Sequence, residues 1–245
     1  PAATEHVMAI RLVISGYCGR MGSRIAALAA ADSVFAIAGA LEASGQPCLG
    51  RDAGECLGMS PLGVRVTDDA RAALAGGDVL VEFSSPAATA EHVQIARQLK
   101  KPAVIGTTGL SDAERAAIVD AAKDIPIVLS PNMSVGVNLL FELVELAAKR
   151  LGLGYDVEVV EAHHRAKKDT PSGTAKRLAE VLAAGRRQPV GQIPVHAIRA
   201  GDIVGDHTVI LAGPSERLEL THRAQSRDVF AEGALKAAAF VRSQQ

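Results

Sequence analysis

The densest chemistry in the chain lies in Glu161-Ala162-His163-His164-Arg165-Ala166-Lys167-Lys168-Asp169-Thr170-Pro171-Ser172-Gly173-Thr174-Ala175. His163, His164 and Lys167 are protonatable groups close enough in sequence to share one loop. Ser172, Gly173 and Thr174 bring hydroxyls and free backbone N–H groups to the start of the next helix, which is a ready anion site. Loop cations and a helix start can each hold one carboxylate, so the pattern suits a small dicarboxylate with a proton donor at hand. A solvated charged loop with an ordinary helix cap is the competing reading of the same residues. No third histidine or cysteine stands at metal-ligand spacing, so no metal is expected here. His92, His196, His207 and His222 are scattered and read as packing or surface residues.

A second cluster is Gly16-Tyr17-Cys18-Gly19-Arg20-Met21-Gly22. Its spacing is G-x-x-G-x-x-G rather than the usual G-x-G-x-x-G, a weak signal alone. Position strengthens it, because it follows a strand and opens a helix, and Glu42 ends the next strand. Glycines there permit a tight turn and close approach of the backbone to a pyrophosphate, while Glu42 can accept from both ribose hydroxyls. Glu42 would also repel a 2′-phosphate, and Ala43 offers no cation to offset it. NADH is therefore expected as the preferred cofactor, with NADPH as the second option.

These clusters need a scaffold, and the chain alternates strand with helix as far as Pro131. Expected strands are Ile10–Ser15, Val34–Leu41, Val79–Phe83, Ala103–Ile105 and Ile127–Leu129. Expected helices are Gly22–Ala31, Ala87–Lys100 and one from Ser111 to Lys123, where Ser111 and Glu114 have capping-box spacing. Ala43–Gly63 reads as a long irregular loop. Such βα repeats require a doubly wound parallel sheet, an α/β architecture. Beyond Pro131 the texture shifts to helices Val137–Arg150 and Thr174–Ala184, and strands Asp156–Glu161, Val195–Arg199, His207–Leu211 and Arg217–Arg223. A smaller α+β domain with a mixed sheet is expected, followed by an amphipathic helix over Val229–Arg242. The expected division is a dinucleotide-binding domain over 1–132, completed by 224–245, and a substrate-binding and oligomerisation domain over 133–223. Pro1 to Val7 read as a short extension.

Bulk composition narrows the class. The 245 residues carry 26 Lys+Arg against 27 Asp+Glu, which disfavours a nucleic-acid binder that must neutralise phosphates. Aromatic residues at 3% are too few for a base-stacking platform. No apolar run approaches the ~20 residues of a membrane span, and no secretory pattern opens the chain. Cys18, Cys48 and Cys56 are odd in number and lack metal-ligand spacing, so a reducing, cytoplasmic setting is expected.

With these residues in view, the sequence resembles the dihydrodipicolinate reductase (4-hydroxy-tetrahydrodipicolinate reductase) family of lysine and diaminopimelate biosynthesis. The resemblance runs from Ile10 to about Val241. It rests on Glu161–Ala175, similar to the pattern E-A-H-H-x-x-K-x-D-x-P-S-G-T-A, and on Gly19-Arg20-Met21-Gly22 and Gly106-Thr107-Thr108-Gly109. Pro131-Asn132-Met133-Ser134-Val135-Gly136-Val137-Asn138 and Arg199-Ala200-Gly201-Asp202-Ile203-Val204-Gly205 also match. The resemblance implies a Rossmann-like first domain, hydride transfer from NAD(P)H to a cyclic imine dicarboxylate, domain closure and a homotetramer. It assigns His163 as proton donor and Lys167 as the second catalytic residue, with His164, Ser172, Gly173 and Thr174 on the substrate carboxylates. Cofactor contacts fall to Gly16, Tyr17, Cys18, Gly19, Arg20, Met21 and Glu42, and around the nicotinamide to Gly106, Thr107, Thr108, Ser130, Pro131, Asn132 and Met133. Two departures stand out: Ala43 where several relatives carry arginine, and Met133 in place of an aromatic. Rival readings are another dinucleotide-dependent oxidoreductase of amino-acid metabolism and a non-catalytic dinucleotide sensor.

Overall fold

The computed structural model describes residues 8–244, so the expected extension Pro1 to Val7 lies outside the described residues. By its internal contacts the chain divides into two compact units: residues up to Pro131 together with those from Ala231 onward, and Asn132–Phe230.

The first unit is built on a six-stranded sheet of order β3-β2-β1-β4-β5-β6, every neighbouring pair parallel. Its strands are β1 (Ile10–Ser15), β2 (Phe35–Leu41), β3 (Val66–Thr67), β4 (Val79–Glu82), β5 (Ala103–Ile105) and β6 (Ile127–Leu129). This order places a topological switch point between β1 and β4, where ligands of doubly wound sheets sit beyond the strand C-termini. The central strands are buried on both faces, as the aliphatic runs Val79–Val81 and Ala103–Ile105 require. Helices α1 (Arg20–Ala30), α2 (Ala53–Cys56), α3 (Ala70–Ala75), α4 (Pro86–Gln98) and α5 (Asp112–Ala121) connect them. Ser85 caps α4 ahead of Pro86, and Ser111 with Glu114 forms the expected capping box.

Three elements escape the sequence pattern. The expected loop Ala43–Gly63 contains α2, whose N-cap Asp52 accepts from the backbone N–H groups of Gly54, Glu55, Leu62 and Gly63. One carboxylate thus organises a segment with too few apolar residues to show a period. β3, of two residues, and α3, of six, are also short, and Asp69 caps α3 by accepting from Ala72 N–H.

In the second unit the sheet order is β10-β9-β7-β8, with β7 and β8 parallel and the other pairs antiparallel. The strands are β7 (Asp156–His163), β8 (Val195–Arg199), β9 (Gly205–Ala212) and β10 (Arg217–Ala224). Helices α6 (Val135–Leu151) and α7 (Gly173–Arg186) pack on one face through Leu140, Val144, Val157, Val159, Leu178, Leu182, Val209 and Leu211. Strict alternation along β7 sends Val157, Val159, Glu161 and His163 to that buried side. The last helix, α8 (Asp228–Arg242), buries Ala231, Ala234, Leu235, Ala238 and Val241.

Backbone sterics fix the turn between β1 and α1. Gly16 has φ +71°, and a Cβ there would lie 2.5 Å from the Phe83 carbonyl oxygen. A Cβ at Gly22 would lie 2.1 Å from the Gly16 oxygen, so the helix passes the turn at a distance only glycine allows. Gly22→Ala should therefore lower the unfolding free energy by about 1–3 kcal/mol in a urea titration. Gly76, where the nearest atoms to an added Cβ are at 3.8 Å, is the control; Gly76→Ala should stay within about 0.5 kcal/mol of the parent.

Candidate functional site

In the first unit, Gly19 is the N-cap of α1 and has no side chain to cap it, and the first turn carries no acid. The N–H groups of that turn and the exposed Arg20 leave a positive helix start. Tyr17 is fully buried and donates its hydroxyl to the Ala53 carbonyl at 3.1 Å. Its side chain ties the glycine turn to the long loop, so only its backbone faces a ligand. Glu42, at the end of β2, accepts from Cys18 N–H at 3.0 Å and from Ala43 N–H at 3.0 Å. The cradle glycines, the uncapped helix start and the carboxylate at the neighbouring strand end fit a dinucleotide.

Beyond β5, Gly106 donates its N–H to the Glu82 carbonyl, and an added Cβ would strike the Phe83 ring at 2.1 Å. Thr107 is buried and accepts from the Thr89 hydroxyl at 2.8 Å, whereas Thr108 is exposed. Ser130 is buried, with its N–H on the Ile105 carbonyl, and Pro131 is exposed. His92, read from sequence as a packing or surface residue, is half-buried and joins the buried Glu82 and Ser15 in a polar cluster at this end of the sheet. Its Nδ1 lies 2.7 Å from the fully buried Glu82 carboxylate and 3.2 Å from Ser15 Oγ. Burial opposes the charge on His92, yet the hydrogen bond and charge of Glu82 outweigh it and raise its pKa.

The second unit centres on Glu161, which has no exposed surface. Its carboxylate accepts from Arg199 at 2.7 and 2.8 Å and from Ser172 N–H at 3.1 Å, and pairs with His163 Nδ1 in a short hydrogen bond. Burial alone would raise the pKa of Glu161; Arg199, His163 and the Ser172 N–H together hold it below the ordinary range. Arg199 continues to the Asp169 carbonyl and Thr170 hydroxyl, which pins the loop before α7. Neither Glu161 nor Arg199 was singled out by sequence as a functional residue. The signal available was their presence in two separate matching blocks.

His163 is 7% exposed. Burial lowers its pKa, Glu161 partly restores it, and the charges of Lys167 and Arg199 lower it further. Its Nε2 edge faces Gly205, where a Cβ would come to 3.1 Å. Lys167 extends to Asp169 at 2.9 Å, and the half-exposed His164 uses its carbonyl to receive the Lys167 N–H. Ser172 caps α7 by accepting from Ala175 N–H, while Gly173 is exposed with open space before it. Thr174 accepts from Asn132 Nδ2 at 3.0 Å; Asn132 also receives Ser134 N–H, and Met133 between them is buried.

Two histidines read from sequence as packing or surface residues lie inside this cluster. Antiparallel register sets Glu161 opposite His207 and His207 opposite His222 across three strands. The rings of His207 and His163 meet edge to face at 5.2 Å, and His207 Nε2 lies 3.2 Å from Ser172 Oγ. His222 Nε2 lies 3.2 Å from Ser134 Oγ, the cap of α6. Sequence spacing hides this row because the three residues come from different strands. His196 stays at the surface, paired with Glu158. Burial and then the charge of His163 depress His207 to about 4. The unfolded chain therefore binds the extra proton first, so stability falls as pH drops from ~6.5 toward 4. The loss from His207 should be on the order of 3 kcal/mol, and His207→Gln should flatten that slope in urea titrations across this range.

Two of the cysteines meet a carboxylate in space rather than in sequence. Cys18, Glu42 and Cys48 bring one ligand atom each within 4.8 Å of one another, although their sequence spacing matches no metal motif. The three cysteines are free thiols.

Comparison with known proteins follows this division. The family model described as dihydrodipicolinate reductase, N-terminus, matches residues 10–133, and that for the C-terminus matches 136–245. The 4-hydroxy-tetrahydrodipicolinate reductase of Anaeromyxobacter dehalogenans is 47% identical over 248 residues, covering 94% of this chain and 92% of that protein. Its counterpart from Nitrosomonas europaea is 47% identical over 249 residues, with 95% and 92% covered. A dipicolinate-bound dihydrodipicolinate reductase from Paenisporosarcina sp. TG-14 has the same fold, with TM-score 0.79, 23% identity and 96% of each chain covered. An amine dehydrogenase from Mycobacterium smegmatis aligns with TM-score 0.64 at 14% identity, over 97% of this chain and 94% of its own. Family models matching both parts of the chain, and near-half identity across almost all of it, establish that this chain belongs to the dihydrodipicolinate reductase family.

Proposed function

We infer that this chain is an NAD(P)H-dependent 4-hydroxy-tetrahydrodipicolinate reductase, which forms tetrahydrodipicolinate in diaminopimelate and lysine biosynthesis. The observation that carries the reading is the Glu161 cluster, which joins a proton-carrying histidine to an open helix start suited to carboxylates. The dipicolinate in the Paenisporosarcina relative is a planar ring dicarboxylate, which agrees with that ligand class.

When bound, the dinucleotide supplies a hydride; the chain supplies orientation, charge and the proton. Gly16 to Met21 and Glu42 hold the adenosine and pyrophosphate, and Gly106, Thr107, Thr108 and Ser130 to Met133 line the nicotinamide. The N–H groups at Gly173 and Thr174, with His164, take the substrate carboxylates. Reduction of the conjugated ring leaves electron density on a carbon that an acid must quench. His163 delivers that proton through Nε2, because Glu161 occupies Nδ1. A dianionic substrate favours the imidazolium that burial disfavours, so the donor is charged when it is needed. Lys167 assists protonation and grips the substrate, with Asp169 keeping its ammonium in the loop until then.

NADH is the preferred cofactor on this reading. Two backbone N–H groups fix the Glu42 carboxylate, whose charge would oppose a 2′-phosphate at the ribose, and Ala43 supplies no cation. The molecule assembles as a homotetramer through the face of the second sheet that α6 and α7 leave uncovered, where Val160, Ile198 and Ile210 lie. Light scattering on the purified protein checks this; a monomer at micromolar concentration would refute it.

Substrate condensed in situ from pyruvate and aspartate semialdehyde should drive rapid oxidation of NADH, with a lower kcat/KM for NADPH. NADH binding without turnover would favour the sensor reading instead. Lys167→Ala should lower kcat by about 10²–10⁴-fold while NADH binding is unchanged; parental turnover would remove Lys167 from the mechanism. Glu42→Ala should weaken NADH binding by about 10- to 100-fold and narrow the gap to NADPH, which fluorescence titration with both cofactors reads directly.

A further inference from the structure

We propose that Cys18, Cys48 and Glu42 form a binding site for one soft divalent cation of the zinc type, placed so that the cation and the dinucleotide exclude each other. The exclusion rests on Glu42 as the ribose-binding carboxylate; the cation site does not.

The ligand atoms converge from separate parts of the chain. Cys18 comes from the glycine turn, Glu42 from the end of β2 and Cys48 from the long loop, all within 4.8 Å of one another. That upper bound lies within about 1 Å of the ~3.5–3.8 Å between ligands of a tetrahedral metal with Zn–S of ~2.3 Å and Zn–O of ~2.0–2.2 Å, so small side-chain adjustments close the set on a cation. The cluster is already ordered on two sides. The Glu42 carboxylate is oriented by Cys18 N–H and Ala43 N–H, and the long loop is fixed by Tyr17 on the Ala53 carbonyl. Cys48 is buried while Cys18 is exposed, so the site has a closed floor and an open mouth.

The donor set points the same way: two thiols and a carboxylate suit a divalent cation, which binds thiols as thiolates outright. Two S–H bonds break, two metal–sulfur bonds form, two protons leave to solvent and nothing is oxidised. Three protein ligands leave a fourth position for water. Cys56 is not a ligand; its thiol is directed at the Cys48 carbonyl, 3.8 Å away. Two thiolates select a soft metal over magnesium or calcium, which take oxygen ligands.

The test is anaerobic titration of the metal-free, reduced, full-length protein with Co²⁺ as a spectroscopic probe. One equivalent should produce a near-ultraviolet thiolate-to-cobalt charge-transfer band, displaceable by Zn²⁺. Cys18→Ser and Cys48→Ser should each weaken binding at least about tenfold, with folding checked by circular dichroism, whereas Cys56→Ser should leave the band in place. NADH should abolish it competitively. Absence of the band in the parent protein, or its survival in both Cys18→Ser and Cys48→Ser, overturns the proposal. A Cys-dependent band indifferent to saturating NADH upholds the cation site, and removes both the exclusion and the ribose role of Glu42.

Discussion

A carboxylate with no solvent exposure organises the second unit. Leaving Glu161 buried and ionised without partners would cost several kcal/mol, so its surroundings must supply donors. They do so from three directions: the guanidinium of Arg199 on β8, the Nδ1 of His163 two residues along β7, and the backbone N–H of Ser172 at the head of α7. Removing any one donor burdens the others. The histidine ring, the loop from Lys167 to Thr170 and the helix start are therefore positioned by one shared acceptor. A buried histidine and the start of α7 become parts of a single object.

The sheet supplies what Glu161 alone cannot. Two-residue periodicity brings Glu161 and His163 to the helix-facing side, and register sets His207 and His222 in line with Glu161. Each of the last two lies against the cap serine of a helix, Ser172 or Ser134. Both helix starts are thus fixed to the sheet by polar contacts, while the aliphatic cluster beneath fixes the rest of each helix. The first unit solves a comparable problem by sterics. Its turn is set by glycines that cannot accept a Cβ, and the fully buried Glu82, paired with the half-buried His92, closes the adjacent strand end.

Legibility in the sequence followed the range of the interactions. Long aliphatic runs and capping residues marked the parallel sheet, the capping box at Ser111 and the strands of the second unit within a residue or two. The block from Glu161 to Ala175 was legible because its chemistry is concentrated in one loop and one helix start. α2, β3 and α3 were not, being too short to show a period and held largely by carboxylate caps. Arg199, His207 and the Glu82–His92 pair were also missed. Arg199 and His207 reach β7 by strand pairing from tens of positions away, and Glu82 meets His92 between a strand and the helix that follows it, so no local period encodes these contacts. The meeting of Cys18, Glu42 and Cys48 is the same kind of event, made by the fold rather than by a motif.

Everything at this end of β7 turns on the coupling between Glu161 and His163. The direct measurement is an NMR titration of the His163 ring in the parent protein and in Glu161→Gln, with folding of the variant verified beforehand. Burial lowers the pKa of His163 and Glu161 partly restores it. The parent ring should therefore titrate below ~6.5, and the ring in Glu161→Gln lower still, with slower turnover accompanying the shift. A His163 that titrates at the same pH or higher in Glu161→Gln would contradict the claim that this buried carboxylate sets the protonation of His163.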